Sequence, residues 1–434
     1  MNTDILSDNL HKKFPAHFSE RDPLLARLKN YSFKYSSPLL NRLPTTEGIH
    51  TLVGGQLLGK TTLLKQWIVR LLGAGVHAEA ITFFSGKRIK NSDELIQLFQ
   101  TQLTEKPTTR QYIIIDDINY IIDWNKAILW LATKACMQHA IIMLTSADST
   151  LSNQIKQIHI DIKDENNLHI HPLSFRETVL LKHPHTIDLL KEFNCYLLHG
   201  GYLPAIYDVM TFGKISAKTF ALYSDGIIKE LLLHGKHTNF IREILTFIIQ
   251  HYFVPVSFNG LVKELSIEHP KTIRDYLELL SIIDTLFIQS ALIEDKLLPA
   301  PKKARKLIFT DPFVFHAIRA YVFDKGYSEV ELTSLLKDSD LYTNLAKTCV
   351  ISHFQRHYPT YYIKDEGEVD LVYVMKQRFW PIIISWMSQL RSKDIKQIVK
   401  YSNGRILTKT DQASLIENIR TESLLQVLWD GGRR

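Results

Sequence analysis

Cysteine is scarce in this chain: three in 434 residues, Cys136, Cys195 and Cys349. They lie far apart, are odd in number and form no CxxC pair. On that count neither a disulfide framework nor a cysteine zinc site is expected, and a reducing, cytoplasmic setting is. No run of 18 apolar residues exists, so no membrane-spanning helix is expected either. The opening MNTDILSDNLHKKF carries acids and lacks the apolar stretch of a secretory leader. Gly-x-Ser-x-Gly and His-Glu-x-x-His sites are missing, so hydrolase chemistry other than on nucleotides has no support. Internal repeats and low-complexity tracts are absent too. The net charge is only +7, which permits contact with nucleic acid or with the anionic face of a membrane without demanding either. At about 150 residues per domain the length suggests roughly three domains.

What is present is a glycine loop. The segment TLVGGQLLGKTTLLKQW (51–67) follows the short apolar run IHTLV and precedes apolar residues at helical spacing, Leu63, Leu64, Trp67 and Leu71. Strand, Gly-x-x-x-x-Gly-Lys-Thr and helix in that order are the context in which backbone amides cradle phosphate oxygens. Gly54, Gly55, Gln56, Leu57, Leu58, Gly59, Lys60, Thr61 and Thr62 are therefore the candidate ATP-binding residues. Lys60 is placed to reach the β- and γ-phosphates and the Thr61 hydroxyl to bind Mg²⁺. A magnesium-side acid is then needed at the end of a buried strand. QYIIIDD (111–117) supplies it: Asp116 is the candidate metal ligand through water, and Asp117 the group that orients or deprotonates the attacking water. AIIMLTS (140–146) ends in Thr145 and Ser146, and Thr145 is a candidate contact to the γ-phosphate or the water. With AITFF (80–84), a helix capped by Ser92, a helix from about 123, and a further strand in 168–173, the pattern predicts a parallel sheet with helices on both faces.

Five stretches in sequence, GGQLLGKTTLLKQW, IIIDDINYIIDWNKAI, IIMLTSADSTL, HPLSFRE and GGYLP, resemble a family of bacterial and archaeal AAA-type ATPases. That family joins an α/β P-loop NTPase core to a helical lid, a winged helix and a C-terminal α/β nuclease-like domain. The resemblance implies a core over 46–175, a lid over 176–235, a winged helix over 236–315 and a nuclease-like domain over 316–434, after an N-terminal extension (1–45) to which no fold is assigned. The family usually has Asp-Glu where this chain has Asp116-Asp117. The shorter carboxylate sits back by about one bond, which leaves both slow ATP hydrolysis and nucleotide binding without turnover open. The family pattern puts Arg176 at the junction of core and lid, where it reaches a phosphate, meets a neighbouring subunit, or pairs with a local acid. Lys271, Thr272 and Arg274 fall near the start of the second winged-helix helix, where such folds meet either DNA or a protein partner. In the C-terminal part Asp370 is retained. Ile383, Ser385 and Thr343 stand where the resemblance implies Glu, Lys and Glu, so nuclease activity is not expected.

Two further clusters carry weaker expectations. HIH (169–171) and HPHT (183–186) invite a zinc reading, but no cysteine or acid lies at ligand spacing, and ordinary core or surface histidines are expected. KKARK (302–306) reads as a solvated basic loop, with contact to nucleic-acid phosphates as the alternative.

Overall fold

A computed structural model of the chain describes residues 7–31, 33, 35–103, 109–134, 139–160, 162, 164–182, 188–323, 337–386, 395–409 and 415–431. Cys136 and the histidines of 183–186 lie outside them. The chain divides into two compact units, residues 1–171 with 282–284, and residues 172–281 with 285–434.

In the first unit, β1 (Gly48–Val53), β2 (Ile81–Ser85), β3 (Gln111–Asp116), β4 (Ala140–Ser146) and β5 (Asn167–His169) form one all-parallel sheet in the order β2-β3-β4-β1-β5. Ile113 and Ile115 belong to one apolar cluster and Tyr112 and Ile114 to another, and Phe84 and Phe83 divide the same way. Side chains alternate along a strand, so a sheet covered on both faces reads as an unbroken apolar run. That is why these strands are legible as IHTLV, YIIID and AIIML.

The longest α-helix ahead of the sheet is α1 (Pro23–Lys29), which follows two single-turn helices, Leu10–Lys13 and Phe18–Arg21, and four more alternate with the strands: α2 (Lys60–Gly73), α3 (Ser92–Gln102), α4 (Trp124–Ala132) and α5 (Leu151–Gln157). The cap of α3 is Asn91, not Ser92. Its side chain accepts from Glu94 N at 3.0 Å, and the Glu94 carboxylate accepts from Lys90 N at 2.8 Å. Ser92 is the first helical residue. The strand expected over 168–173 ends at His169, although Ile170 N still donates to Val53 O at 2.9 Å.

The N-terminal residues, which gave no fold from their irregular spacing, pack on this sheet. Asn9 uses its amide as a surrogate strand: Nδ2 donates to Phe83 O at 2.9 Å, and Oδ1 accepts from Phe83 N at 2.8 Å. His11 Nε2 donates to Ile81 O at 2.9 Å. These two side chains cover the free edge of β2, an edge that otherwise invites pairing with another chain. Phe18, Leu25 and Leu43 join the core beneath α2, and Asp22, which caps α1, forms a buried ion pair with Lys65 at 3.2 Å.

The second unit opens with helices: α6 (Phe175–Lys182), α7 (Leu189–His199), α8 (Leu203–Phe212), α9 (Ala217–Leu233), α10 (Thr238–Gln250), α11 (Phe258–Glu264) and α12 (Pro270–Ile282). An antiparallel pair follows, β6 (Leu286–Ser290) with β7 (Arg305–Phe309), then α13 (Pro312–Val322) and α14 (Ser339–Gln355). The unit ends in a mixed sheet of β8 (Thr360–Lys364), β9 (Glu368–Met375), β10 (Arg378–Ser385), β11 (Arg405–Thr408), β12 (Leu415–Ile416) and β13 (Ile419–Ser423), ordered β8-β9-β10-β11-β13-β12, and in α15 (Leu424–Asp430).

The boxes PLSFRE and GGYLP meet inside this unit. Leu173 N donates to Gly201 O at 2.9 Å, and Gly201 N donates to Asp311 Oδ2 at 2.9 Å. A Cβ on Gly200 would lie 1.6 Å from Asp311 Oδ1, and one on Gly201 would lie 2.1 Å from Leu173 O. The glycine pair is required by close approach, and its role is packing.

Candidate functional site

The glycine loop links β1 to α2. Gly54 has φ +148, and a Cβ there would lie 2.4 Å from Ile170 O. Gly59 has φ +89 and is the residue before the first helical turn. Both positions need glycine, the first for space and backbone, the second for backbone alone. Leu57, a non-glycine, is also left-handed at φ 60. Gly59 brings no side chain to cap α2, and the first intrahelical bond at this end runs from Leu63 N to Gly59 O. The amides of Thr61 and Thr62 therefore have no carbonyl partner within the helix, the arrangement that suits an anion. Lys60 is buried and turned into the loop, with Nζ donating to Gly54 O at 2.6 Å and Gly55 O at 2.9 Å. Gln56, Leu57 and Leu58 are half-buried along the loop.

The ends of β3 and β4 lie together, because parallel neighbours in a sheet finish at the same edge. The Thr61 hydroxyl donates to Asp116 Oδ2 at 2.7 Å, and the Thr145 hydroxyl donates to Asp116 Oδ1 at 2.7 Å. Asp117 N donates back to Thr145 Oγ1 at 2.8 Å. Burial raises the Asp116 carboxyl above its ordinary range, with the Asp117 charge adding to the rise. The Thr145 and Thr61 hydroxyls and Lys60 pull the other way. A cation placed against this carboxylate would relieve both penalties.

Asp117 itself leaves the strand in the left-handed conformation, φ 54. Its carboxylate is held by Lys87 at 2.5 Å. Lys87 belongs to the turn Gly86–Arg88 that follows β2. Gly86 has to be glycine, since a Cβ would lie 2.2 Å from Asp117 O. Sequence reasoning missed Lys87. The signal was available: SGKR follows a strand that must neighbour β3 in a βαβ sheet.

Thus Lys60, Thr61, Asp116, Asp117 and Thr145 are brought to one sheet edge. The remaining candidates are not part of that cluster. Arg176 belongs to the second unit, where its exposed guanidinium lies 5.6 Å from the centre of the Trp429 ring. Lys271 and Arg274 are exposed at the start of α12, and Thr272 is half-buried. Arg274 and Arg305 both stack on Phe258, at 4.9 and 4.6 Å. Burial lowers the Arg305 pKa, and the Arg274 charge lowers it further, so positive charge is concentrated here. Lys306 corrects the reading of KKARK as a solvated loop. It is fully buried, bonded to Glu368 and set over the Phe253 and Tyr362 rings, because β7 carries it inward.

His169 and His171 stack with centroids 4.1 Å apart, and His169 Nε2 hydrogen-bonds Asp284 Oδ2 at 2.6 Å. Among the described residues no group of three or more metal-ligating side chains gathers. In the second unit Asp370 is gripped by Lys347 Nζ at 2.5 Å and by Ile384 N at 2.8 Å. The α14 residue that reaches it is Lys347, about one helical turn beyond Thr343. Ile383 and Ser385 are buried on β10. No helix of the described residues is long and apolar enough to cross a membrane.

Residues 46–179 match the family model described as an AAA domain. Solved structures that overlap the chain include a point variant of RuvB from Thermotoga maritima, at 18% identity, over 57% of this chain and 84% of that one, with a TM-score of 0.30. Cdc6p from Pyrobaculum aerophilum overlaps at 14% identity, 71% and 94% coverage and a TM-score of 0.27. AMPPCP-bound DnaA from Aquifex aeolicus overlaps at 10% identity, 56% and 84% coverage and a TM-score of 0.28. No curated protein matches the chain. The segment 46–179 is an AAA-type P-loop ATPase domain.

Proposed function

We propose that the chain is a magnesium-dependent ATPase whose nucleotide state is coupled to a DNA or protein partner. One observation carries this reading: the hydroxyl–carboxylate chain Thr61–Asp116–Thr145 stands beside the buried Lys60 at an uncapped helix N-terminus. A strand-end carboxylate bonded to the P-loop hydroxyl is what a magnesium site needs before the metal arrives. The loop from Gly54 to Thr62 would hold the triphosphate, and Lys60 would exchange its two carbonyl contacts for phosphate oxygens. Thr61 and Asp116 would hold Mg²⁺, which supplies charge neutralisation at the β- and γ-phosphates. Asp117 would take the proton of the attacking water once its carboxylate leaves Lys87, and Thr145 would fix where Asp117 begins. Arg176 is proposed as a phosphate-sensing arginine that exchanges the Trp429 ring for an anion.

A second reading, a nucleotide-gated binding module without turnover, is favoured by the Lys87–Asp117 ion pair, which withholds the carboxylate proposed for water activation. Steady-state phosphate release separates the two: turnover above a Lys60→Ala control supports the ATPase, and ATP binding without turnover supports the module. For the partner, Arg274, Arg305 and Phe258 form a cationic, aromatic patch with Lys271 nearby, suited to a polyanion. DNA affinity that weakens with salt, and that weakens again in Arg274→Ala, is the expected outcome. Salt-independent or absent DNA binding leaves the protein partner.

A further inference from the structure

The tripeptide Ile282–Ile283–Asp284 belongs to the first unit, although the residues on either side belong to the second. Its contacts fall on three loops of the sheet edge that carries Lys60 and Asp116. From the loop after β4, Ser149 N donates to Ile282 O at 3.0 Å, satisfying a carbonyl that the end of α12 leaves open. From the end of β5, His169 Nε2 hydrogen-bonds Asp284 Oδ2 at 2.6 Å. From the glycine loop, Gly55 packs so closely that a Cβ on it would lie 3.3 Å from Asp284 Cβ and 3.4 Å from Ile283 O. Ile283 is fully buried. Asp284 takes the left-handed conformation, φ 55, that turns the chain back at the helix end.

We infer that Ile282–Asp284 is a latch on the nucleotide site, seated most firmly when no triphosphate is bound. This rests on the ATP-binding reading above. The same carbonyl group, Gly55 C=O, that Lys60 holds in this conformation belongs to the residue against which Asp284 is packed. Transfer of the Lys60 ammonium to phosphate would release that carbonyl and the backbone carrying it. The added negative charge would also oppose the Asp284 carboxylate. Nucleotide and seated latch therefore disfavour one another, and linkage makes the effect reciprocal: whatever loosens the latch tightens nucleotide binding. The tripeptide is continuous with α12 and β6, so its state is passed along the chain itself.

The test uses the full chain. Hydrogen exchange at the amides of residues 282–286 is followed with and without saturating Mg·ATP, and ATP affinity is titrated in wild type, Asp284→Asn and His169→Gln. Faster exchange with ATP, and affinity increased by about fivefold or more in both variants, is the expected result. Exchange that is unchanged or slowed by ATP, or variants that bind no more tightly than wild type, overturns the latch. Absence of ATP binding in the wild type overturns the nucleotide reading as well, so the two failures are told apart by the wild-type titration alone.

Discussion

Two aspartates, one in each unit, are equally buried: Asp116 and Asp370 are both 4% exposed. Each lies on a strand of a sheet. Their partners differ in kind. Asp116 is held by two hydroxyls, Thr61 and Thr145, which carry no charge and can turn away. Asp370 is held by the Lys347 ammonium and a backbone amide. Burial makes the charge of the first carboxylate costly, a penalty that a cation beside it would relieve. The second already has its cation, covalently tethered to α14. Burial alone therefore does not mark a metal site; the chemistry of the neighbours decides whether a buried carboxylate is available.

The comparison breaks most visibly at Asp117. Asp117→Asn removes the proposed proton acceptor and is expected to lower phosphate release by about 10²–10⁴-fold while ATP affinity stays near wild type. A matching loss of affinity would place Asp117 among the binding groups instead. Lys60→Ala removes a charged donor to the triphosphate and is expected to weaken ATP binding on the order of a hundredfold, read by calorimetric titration.

Lys347→Ala sharpens the other half. It leaves Asp370 buried without a counter-charge, and a cost of about 3–5 kcal/mol in denaturant unfolding is expected. The double change Lys347→Met with Asp370→Leu should recover most of that loss. Asp116→Asn, whose partners are neutral, is expected to change stability far less than Lys347→Ala does.

The smallest effect is on acid stability. Burial holds His11, His316 and His353 down to about 4 and His199 well below the ordinary 6.5. Between those values only the unfolded chain takes the proton. Their contribution is full above about pH 6.5 and is lost as pH falls toward 4. Asp311, lifted to about 7 by burial, and Asp116, also raised, act in the opposite sense, because the folded state binds their protons first. The histidines outnumber the acids, so a melting temperature that falls between pH 7 and pH 5 is expected, and His316→Asn should flatten the slope.

The strands and helices around the glycine loop were legible because a doubly covered parallel sheet writes itself as apolar runs separated by helical spacing. Lys60, Thr61 and Asp116 followed from the motif and from strand ends. Lys87 and Asp284 did not, since each reaches the site through sheet order or chain return, which local spacing does not carry. The N-terminal residues were illegible for a related reason: Asn9 and His11 act as strand substitutes through side chains, which no periodicity reports. In the second unit β11 and β12 span only four and two residues, too few to set a periodicity. Lys347 was overlooked in favour of Thr343 because a helix face cannot be fixed to one turn without its partner strand.

The central claim is that the loop from Gly54 to Thr62 and the Asp116 edge form one Mg·ATP site. Calorimetric titration of Mg·ATP into the folded wild-type chain, with Lys60→Ala alongside, tests it most directly. Saturable one-site binding in wild type that magnesium strengthens and Lys60→Ala removes is the predicted result. No binding by well-folded wild type, or equal binding by Lys60→Ala, would contradict it.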